Sequence, residues 1–192
     1  MQVESYELGQ YVKIVDNIFS EKFMNTFHKI CKELVFENSL VGGGTGTVNK
    51  KIRNSSVLTI HKYHKNLTLV HWCNFFVKKL NEAVLNHYMP IVPHMTIKPI
   101  ENIQLLKYET EGFYTPHVDH FHGIPRTLSI VTFINDDYKD GCFEMFSPDN
   151  KHSQKVEPKK GRTIIFPSNF LYPHKANVVT EGTRYAMVAW CL

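Results

Sequence analysis

Apolar residues recur at helical intervals in two stretches of the N-terminal half, then in short alternating or continuous runs after Pro99. Tyr11-Val12-Lys13-Ile14-Val15 alternates weakly and predicts an opening strand. Ser20 is placed to cap a helix in which Phe23, Phe27, Ile30, Cys31 and Leu34 return every three or four positions. A longer helix is expected from about 68 to 88, with Leu69, Trp72, Cys73, Phe76, Leu80, Ala83 and Val84 on one face. Beyond Pro99 the period shortens. Strands are expected over 102–108, 127–134, 142–146, 162–166 and 184–191, separated by Gly, Pro and Asp punctuation. Two helices followed by many short strands describe an α+β domain with helices packed on one face of a β-sandwich or barrel. Residues 42–47, Gly-Gly-Gly-Thr-Gly-Thr, match neither phosphate-loop spacing nor GxGxxG and read as a flexible loop.

Composition narrows the class. A chain of 192 residues, 43% hydrophobic and 12% aromatic, is long enough for one domain with a core of its own and too apolar to be disordered. The formal net charge of +4 comes from short, scattered basic clusters (Lys50, Lys51, Arg53; Lys159, Lys160, Arg162), which read as a solvated surface and not as a nucleic-acid stripe. No apolar run approaches the roughly 18 residues that span a membrane. The opening Met1-Gln2-Val3-Glu4-Ser5 lacks the basic-then-apolar profile of an export signal, so the expectation is a protein that begins here and stays in the cytoplasm. Cys31, Cys73, Cys142 and Cys191 are dispersed with no CxxC pair, which favours buried reduced thiols over a zinc site.

Among eleven histidines, His117 in His117-Val118-Asp119 is the best candidate for chemistry. Residues at i and i+2 of a strand project to one face, so this pair could present an imidazole and a carboxylate to one ion. His174 follows the strand expected at 162–166, and Arg184 opens the last strand after the Glu181-Gly182 turn. A hairpin would place His174 and Arg184 side by side on neighbouring strands. Two His and one carboxylate fill one face of an octahedral ion, the facial triad of non-heme Fe(II) oxygenases. A 2-oxo acid takes two of the open positions and O2 the third, and an Arg suits the distal carboxylate of that acid. The competing histidines read as bystanders: His120 and His122 at the rim or surface, His61 and His64 at the surface despite a spacing that could be helical, and His152 in a polar stretch.

With these residues in place the sequence resembles the Fe(II)/2-oxoglutarate-dependent dioxygenases, in particular their prolyl-4-hydroxylase branch. The segment from Tyr108 through Gly112, Tyr114 and His117 to Asp119 resembles the family's Tyr…Gly…Tyr-x-x-His-x-Asp run. Phe133-Ile134-Asn135 followed by Gly141-Cys142-Phe143-Glu144 is similar to its Tyr-Leu-Asn…Gly-Gly-Glu stretch, and Gly182-Thr183-Arg184-Tyr185 with Trp190 closes the pattern. The resemblance implies a double-stranded β-helix (jelly-roll) core with N-terminal helices packed on one sheet. It also implies a single dioxygenase domain over 1–192, with a helical support region about 1–98 and a catalytic core about 99–192. It implies His117, Asp119 and His174 as Fe(II) ligands, Arg184 and Tyr108 at 2-oxoglutarate, and Tyr114, Arg126 and Trp190 around a substrate proline. Ascorbate would be an accessory reductant, and the partner a proline-containing peptide or protein. Two positions depart from the pattern. Phe133 stands where some members place a Tyr hydroxyl on the cosubstrate, leaving Ser129 or Thr132 as replacement donors, and Cys142 replaces the second Gly.

Other readings stay open at this point. The same metal could serve a free amino acid, another metabolite or alkylated nucleic acid, although Ala186, Val188 and Trp190 after Arg184 break the demethylase pattern Arg-x-Asn-x-Thr-x-Arg. A jelly-roll module that holds a metal without turnover is a further alternative. The glycines of 42–56, followed by Arg53, raise the question of a loop that closes over substrate.

Overall fold

The computed structural model describes residues 8–42 and 46–192. Residues 1–7 and 43–45, which include the opening pentapeptide and the middle of the glycine run, lie outside the described residues. A short 3-10 turn, Leu8–Tyr11, precedes β1 (Lys13–Val15), so the predicted opening strand starts two residues late. Helix α1 (Glu21–Glu33) begins where expected: the Ser20 side chain accepts from the Phe23 amide at 3.3 Å. Helix α2 (Leu67–Ala83) is capped by Asn66, which accepts from the amides of Thr68 and Leu69. Its predicted last turn loosens into a π turn, Val84–Tyr88.

Three strands in the N-terminal half went unforeseen: β2 (Glu37–Asn38), β3 (Arg53–Asn54) and β4 (Ser56–His61). They are followed by β5 (Asn102–Tyr108), β6 (Phe113–His117), β7 (Leu128–Phe133), β8 (Lys139–Asp140) and β9 (Phe143–Phe146). The chain continues through β10 (Ser153–Val156), β11 (Thr163–Pro167), β12 (His174–Ala176), β13 (Val179–Glu181) and β14 (Arg184–Cys191). Two antiparallel sheets result, of order β1-β11-β7-β14-β5-β4-β2 and β10-β9-β12-β6-β3, with β13 and β8 paired separately. This is the sandwich of a jelly roll. The N-terminal half is woven into it, because β1 lies beside β11 and β4 beside β5 across the register Ser56↔Lys107 to His61↔Asn102.

The period-2 alternation of the seven-stranded sheet sorts its residues into two cores. Ile103 and Leu105 on β5, Leu128 and Ile130 on β7, and Tyr185, Met187 and Ala189 on β14 face the helices. There they meet Met24, Phe27 and Cys31 of α1 and Leu69, Phe76 and Leu80 of α2. An aromatic cluster seals this layer, with Phe27 and Phe76 edge to face at 4.8 Å. The alternate residues, Leu106 and Tyr108, Val131 and Phe133, Ala186 and Val188, face the space between the sheets. Because the central strands are covered on both faces, β7 is buried at every position.

Candidate functional site

The space between the sheets opens as a cavity of about 780 Å³, and all eight residues picked from the sequence line it: Tyr108, Tyr114, His117, Asp119, Arg126, His174, Arg184 and Trp190. Pairing within each sheet explains how they converge. His117 at the end of β6 lies opposite His174 at the start of β12 in the five-stranded sheet. Tyr108 at the end of β5 lies opposite Arg184 at the start of β14 in the seven-stranded sheet. The expected hairpin between His174 and Arg184 is therefore corrected. The two side chains come from different sheets and meet across the cleft, because the chain between them crosses from one layer to the other. Asp119 needs a second correction, since β6 stops at His117 and Asp119 follows in a bend.

His117, Asp119 and His174 place one ligand atom each within 4.8 Å of the others. Nε2 of His117 lies 3.8 Å from Asp119 Oδ1, and Nε2 of His174 lies 3.5 Å from Asp119 Oδ2. Each imidazole uses Nδ1 on a backbone carbonyl two residues earlier, Thr115 at 2.8 Å and Tyr172 at 3.0 Å. With Nδ1–H donating there, the Nε2 lone pairs are turned toward the carboxylate, the arrangement of metal-ligating histidines. Burial, and then the neighbouring His174, hold His117 down to about 3, which keeps it neutral. Burial alone would raise Asp119, but His174, His117 and the Ser129 hydroxyl outweigh it and bring the carboxyl to about 2. Ser129 donates to Asp119 Oδ2 at 2.6 Å and is itself bonded to Ser168 at 2.8 Å. Two imidazoles with Nε2 turned inward and a carboxylate on one side of a cavity are a donor set for a divalent transition-metal ion.

Arg184 is the most deeply buried cation of the cavity, 2% exposed, and its Nε and Nη1 have no hydrogen-bond partner among the described residues. Aromatic rings flank it instead, Tyr108 at 5.0 Å and Phe133 at 5.2 Å from Cζ. An uncompensated buried charge costs several kcal/mol, so this guanidinium fits an incoming anion. The replacement donors expected for Phe133 are not available. Ser129 serves Asp119, and Thr132 is bonded to Thr163 at 2.8 Å on the sheet face opposite Phe133.

Toward the mouth, the Tyr114 ring stacks on His117 at 3.6 Å between centroids, and Arg53 lies 4.8 Å above Tyr114. The Arg126 guanidinium lies 3.6 Å over the Trp190 ring, and its Nη1 donates to the Asp119 carbonyl at 3.3 Å. Arg53 was missed as a site residue, because its unforeseen strand β3 is what brings it beside Tyr114. Asn135 was quoted only as part of a motif. Its Oδ1 accepts from the Tyr185 amide at 2.7 Å and its Nδ2 donates to the Thr183 carbonyl at 2.8 Å, gripping the chain on both sides of Arg184. A buried amide ending an apolar strand was the signal that could have found it. The bystander histidines remain outside the cluster: His120 bonds the Arg126 carbonyl, and His61 and His64 each accept a backbone amide two residues on. His61 ends a strand, so the pair is not helical.

Fold and site together define a jelly-roll β-sandwich with a two-histidine, one-carboxylate cluster in its cleft. Residues 103–192 match the model of the 2OG-Fe(II) oxygenase superfamily. The family implies Fe(II), 2-oxoglutarate and O2. A PKHD-type hydroxylase of Picosynechococcus sp. is 31% identical over 97 residues, covering 48% of this chain and 42% of that protein. Prolyl 3-hydroxylase 2 of Homo sapiens is 36% identical over 66 residues, 34% of this chain and 9% of that protein. The chain thus spans less than half the length of these relatives. Among solved structures, a Trichoplax adhaerens prolyl hydroxylase in complex with a hypoxia inducible factor peptide fragment superposes with a TM-score of 0.76 at 16% identity, over 95% of this chain and 83% of that one. A Pseudomonas putida prolyl-4-hydroxylase gives 0.70 at 16% identity, over 94% and 91%. Among the described residues no helix is long and apolar enough to cross a membrane.

Proposed function

We propose that the chain is an Fe(II)- and 2-oxoglutarate-dependent dioxygenase that hydroxylates prolyl residues of a peptide or protein. One observation carries the reading: a buried Arg184, its Nε and Nη1 without a hydrogen-bond partner among the described residues, lines the same cavity as the His117, Asp119 and His174 cluster. His117, Asp119 and His174 would hold the iron, and Arg184 and Tyr108 would receive the distal carboxylate of 2-oxoglutarate. When bound, the metal and cosubstrate supply the oxidising chemistry that puts one oxygen atom of O2 into a C–H bond and the other into succinate, with release of CO2. The protein's own part is orientation and exclusion of water. The Thr115 and Tyr172 carbonyls fix the imidazole tautomers, while Ser129 and Ser168 hold the carboxylate. Tyr114 and Trp190 offer flat apolar walls suited to a pyrrolidine ring, and Arg126, held over Trp190, offers N–H donors to a peptide carbonyl. The names of the relatives, prolyl 3-hydroxylase among them, support a prolyl substrate.

The whole of 1–192 is read as one catalytic unit, with 1–98 as support, because β1 and β4 extend the same sheet that carries Arg184. Ascorbate would keep the iron reduced. The four buried free cysteines suit a reducing compartment, and the cytoplasm is the proposed location. The test is purified protein given Fe(II), ascorbate, 2-oxoglutarate and a library of proline-containing peptides. Succinate should form above the His174→Ala background, and mass spectrometry should find one added oxygen on proline, with fragmentation reading the ring position. Succinate at the background level with every peptide would end the proposal.

A further inference from the structure

Each aromatic wall of the mouth carries a guanidinium, Arg53 over Tyr114 and Arg126 over Trp190, and all four side chains line the cavity. The two cations are not equally matched. Arg126 has a carboxylate at hand, with its Nη1 3.8 Å from Asp119 Oδ1. Arg53 has none. Its Nε donates to Ser55 Oγ at 3.0 Å, and Ser55 donates in turn to Ser39 Oγ at 2.9 Å. It forms no ion pair among the described residues, and its two Nη atoms have no hydrogen-bond partner there. Neither Nη atom is sealed from solvent, so an incoming group can reach them. The stem is fixed from below: β3 pairs with β6 at Arg53↔Tyr114, and the Arg53 amide donates to the Asn49 carbonyl at 2.9 Å. Arg53 is thus a half-buried cation, held in place beside the mouth with the outer edge of its fork unused.

The balance of charge says what that group is. Among the described lining residues the carboxylates are Asp119 and Glu37. Asp119 belongs to the cluster with His117 and His174, and Glu37 is exposed on β2 and pairs with neither arginine. Arg184, deeper in, is the cation assigned to the cosubstrate. Arg53 and Arg126 therefore leave a positive excess at the entrance. A peptide lying over them strips water from both. A backbone carbonyl bonds a guanidinium without cancelling its charge, whereas a carboxylate does both, through two parallel N–H···O bonds to one fork. Arg53 stands one ring away from the metal-ligand cluster, since the Tyr114 beneath it stacks on His117. An extended chain advances about 3.3 Å per residue, so a side chain a few positions from the residue being oxidised is within reach.

We infer that the substrate peptide carries an aspartate or glutamate within about three residues of its target proline, and that Arg53 selects it. The inference rests on the prolyl-peptide reading and narrows its substrate class. It is tested by fluorescence anisotropy on the full chain loaded with Mn(II) and 2-oxoglutarate and kept free of O2, so that nothing turns over. The probes are labelled Ala-rich peptides with one central proline and a single Glu, Gln or Lys moved through the three positions on either side. At one or more positions Glu should bind roughly tenfold tighter than Gln, about 1.4 kcal/mol, with Lys weakest. Arg53→Gln should bring the Glu-to-Gln ratio close to one, and Arg53→Glu should turn the preference over to Lys. Each ratio is taken within one protein, so a general loss of affinity does not imitate the effect. Equal affinity for Glu and Gln at every position overturns the inference and leaves the prolyl reading standing. A Glu preference that survives Arg53→Gln overturns it too. If no peptide binds better than its counterpart with the proline replaced by Ala, the prolyl reading falls, and the inference with it.

Discussion

The two faces of the seven-stranded sheet are built from the same strands yet obey different rules. On the helix side, polar groups that enter the core are matched: the Tyr88 hydroxyl donates to the Tyr11 carbonyl at 3.0 Å, and the Cys73 thiol reaches the Ile60 carbonyl at 3.6 Å. On the other side, Arg184 Nε and Nη1 and the Tyr138 hydroxyl are buried with no hydrogen-bond partner among the described residues. The first face contributes stability through apolar burial, at roughly 1.5–3 kcal/mol for each large side chain. The second holds costly groups in place for something that arrives later. One strand, β14, serves both, with Tyr185, Met187 and Ala189 turned to the helices and Arg184, Ala186 and Val188 turned to the cleft.

This contrast can be broken from either side. The largest effect is expected on the helix face: Phe76→Ala should destabilise the fold by about 3–5 kcal/mol in denaturant titration while the KM for 2-oxoglutarate stays put. Next, Arg184→Met should do the opposite. Calorimetric affinity for 2-oxoglutarate should fall about a hundredfold, while the ligand-free protein gains about 1–2 kcal/mol as a lone buried charge is removed. A variant that lost both affinity and stability would place Arg184 with the structural face. Asn135→Ala falls between, because it leaves the Thr183 carbonyl and the Tyr185 amide unpaired beside Arg184. It should cost about 1–3 kcal/mol in thermal unfolding and raise the KM for 2-oxoglutarate several-fold.

The smallest effect sharpens the comparison at a third place, the five-stranded sheet. Glu144 bonds Ser153, Asn177 and Lys175. Burial would raise its carboxyl, but those three partners win and bring it to about 2 from 4.5. The stability it contributes is therefore full above about pH 4.5 and disappears as the pH falls toward 2. Glu144→Gln should cost about 1–2 kcal/mol at pH 7 and almost nothing near pH 2, read from melting temperatures across that range. A constant difference at every pH would refute the assignment.

Much of this was legible in the sequence because it rests on local pattern. Helical spacing found α1 and α2, with Ser20 as a cap, and runs of apolar residues found β5, β7, β11 and β14. The metal-ligand candidates and Arg184 were found by chemical type and order. What spacing cannot carry is the choice of sheet. It says which residues share a face of a strand, but not which neighbour that strand will take, so His174 and Arg184 were placed on one hairpin when they occupy opposite layers. The same limit hid β4, whose Val57, Leu58 and Ile60 become a strand only by pairing with the distant β5. Ser129 and Thr132 looked equally free as donors because their partners, Asp119 and Thr163, come from other segments.

Seating His174 and Arg184 in separate layers has a consequence for molecular length. Two stacked sheets stand about 10 Å apart, a spacing fixed by the side chains packed between them and not by any loop. Under the proposed grip, that gap would act as a caliper on an oxo-diacid held at both ends, and homologues shorter or longer than the fitting one would seat less well.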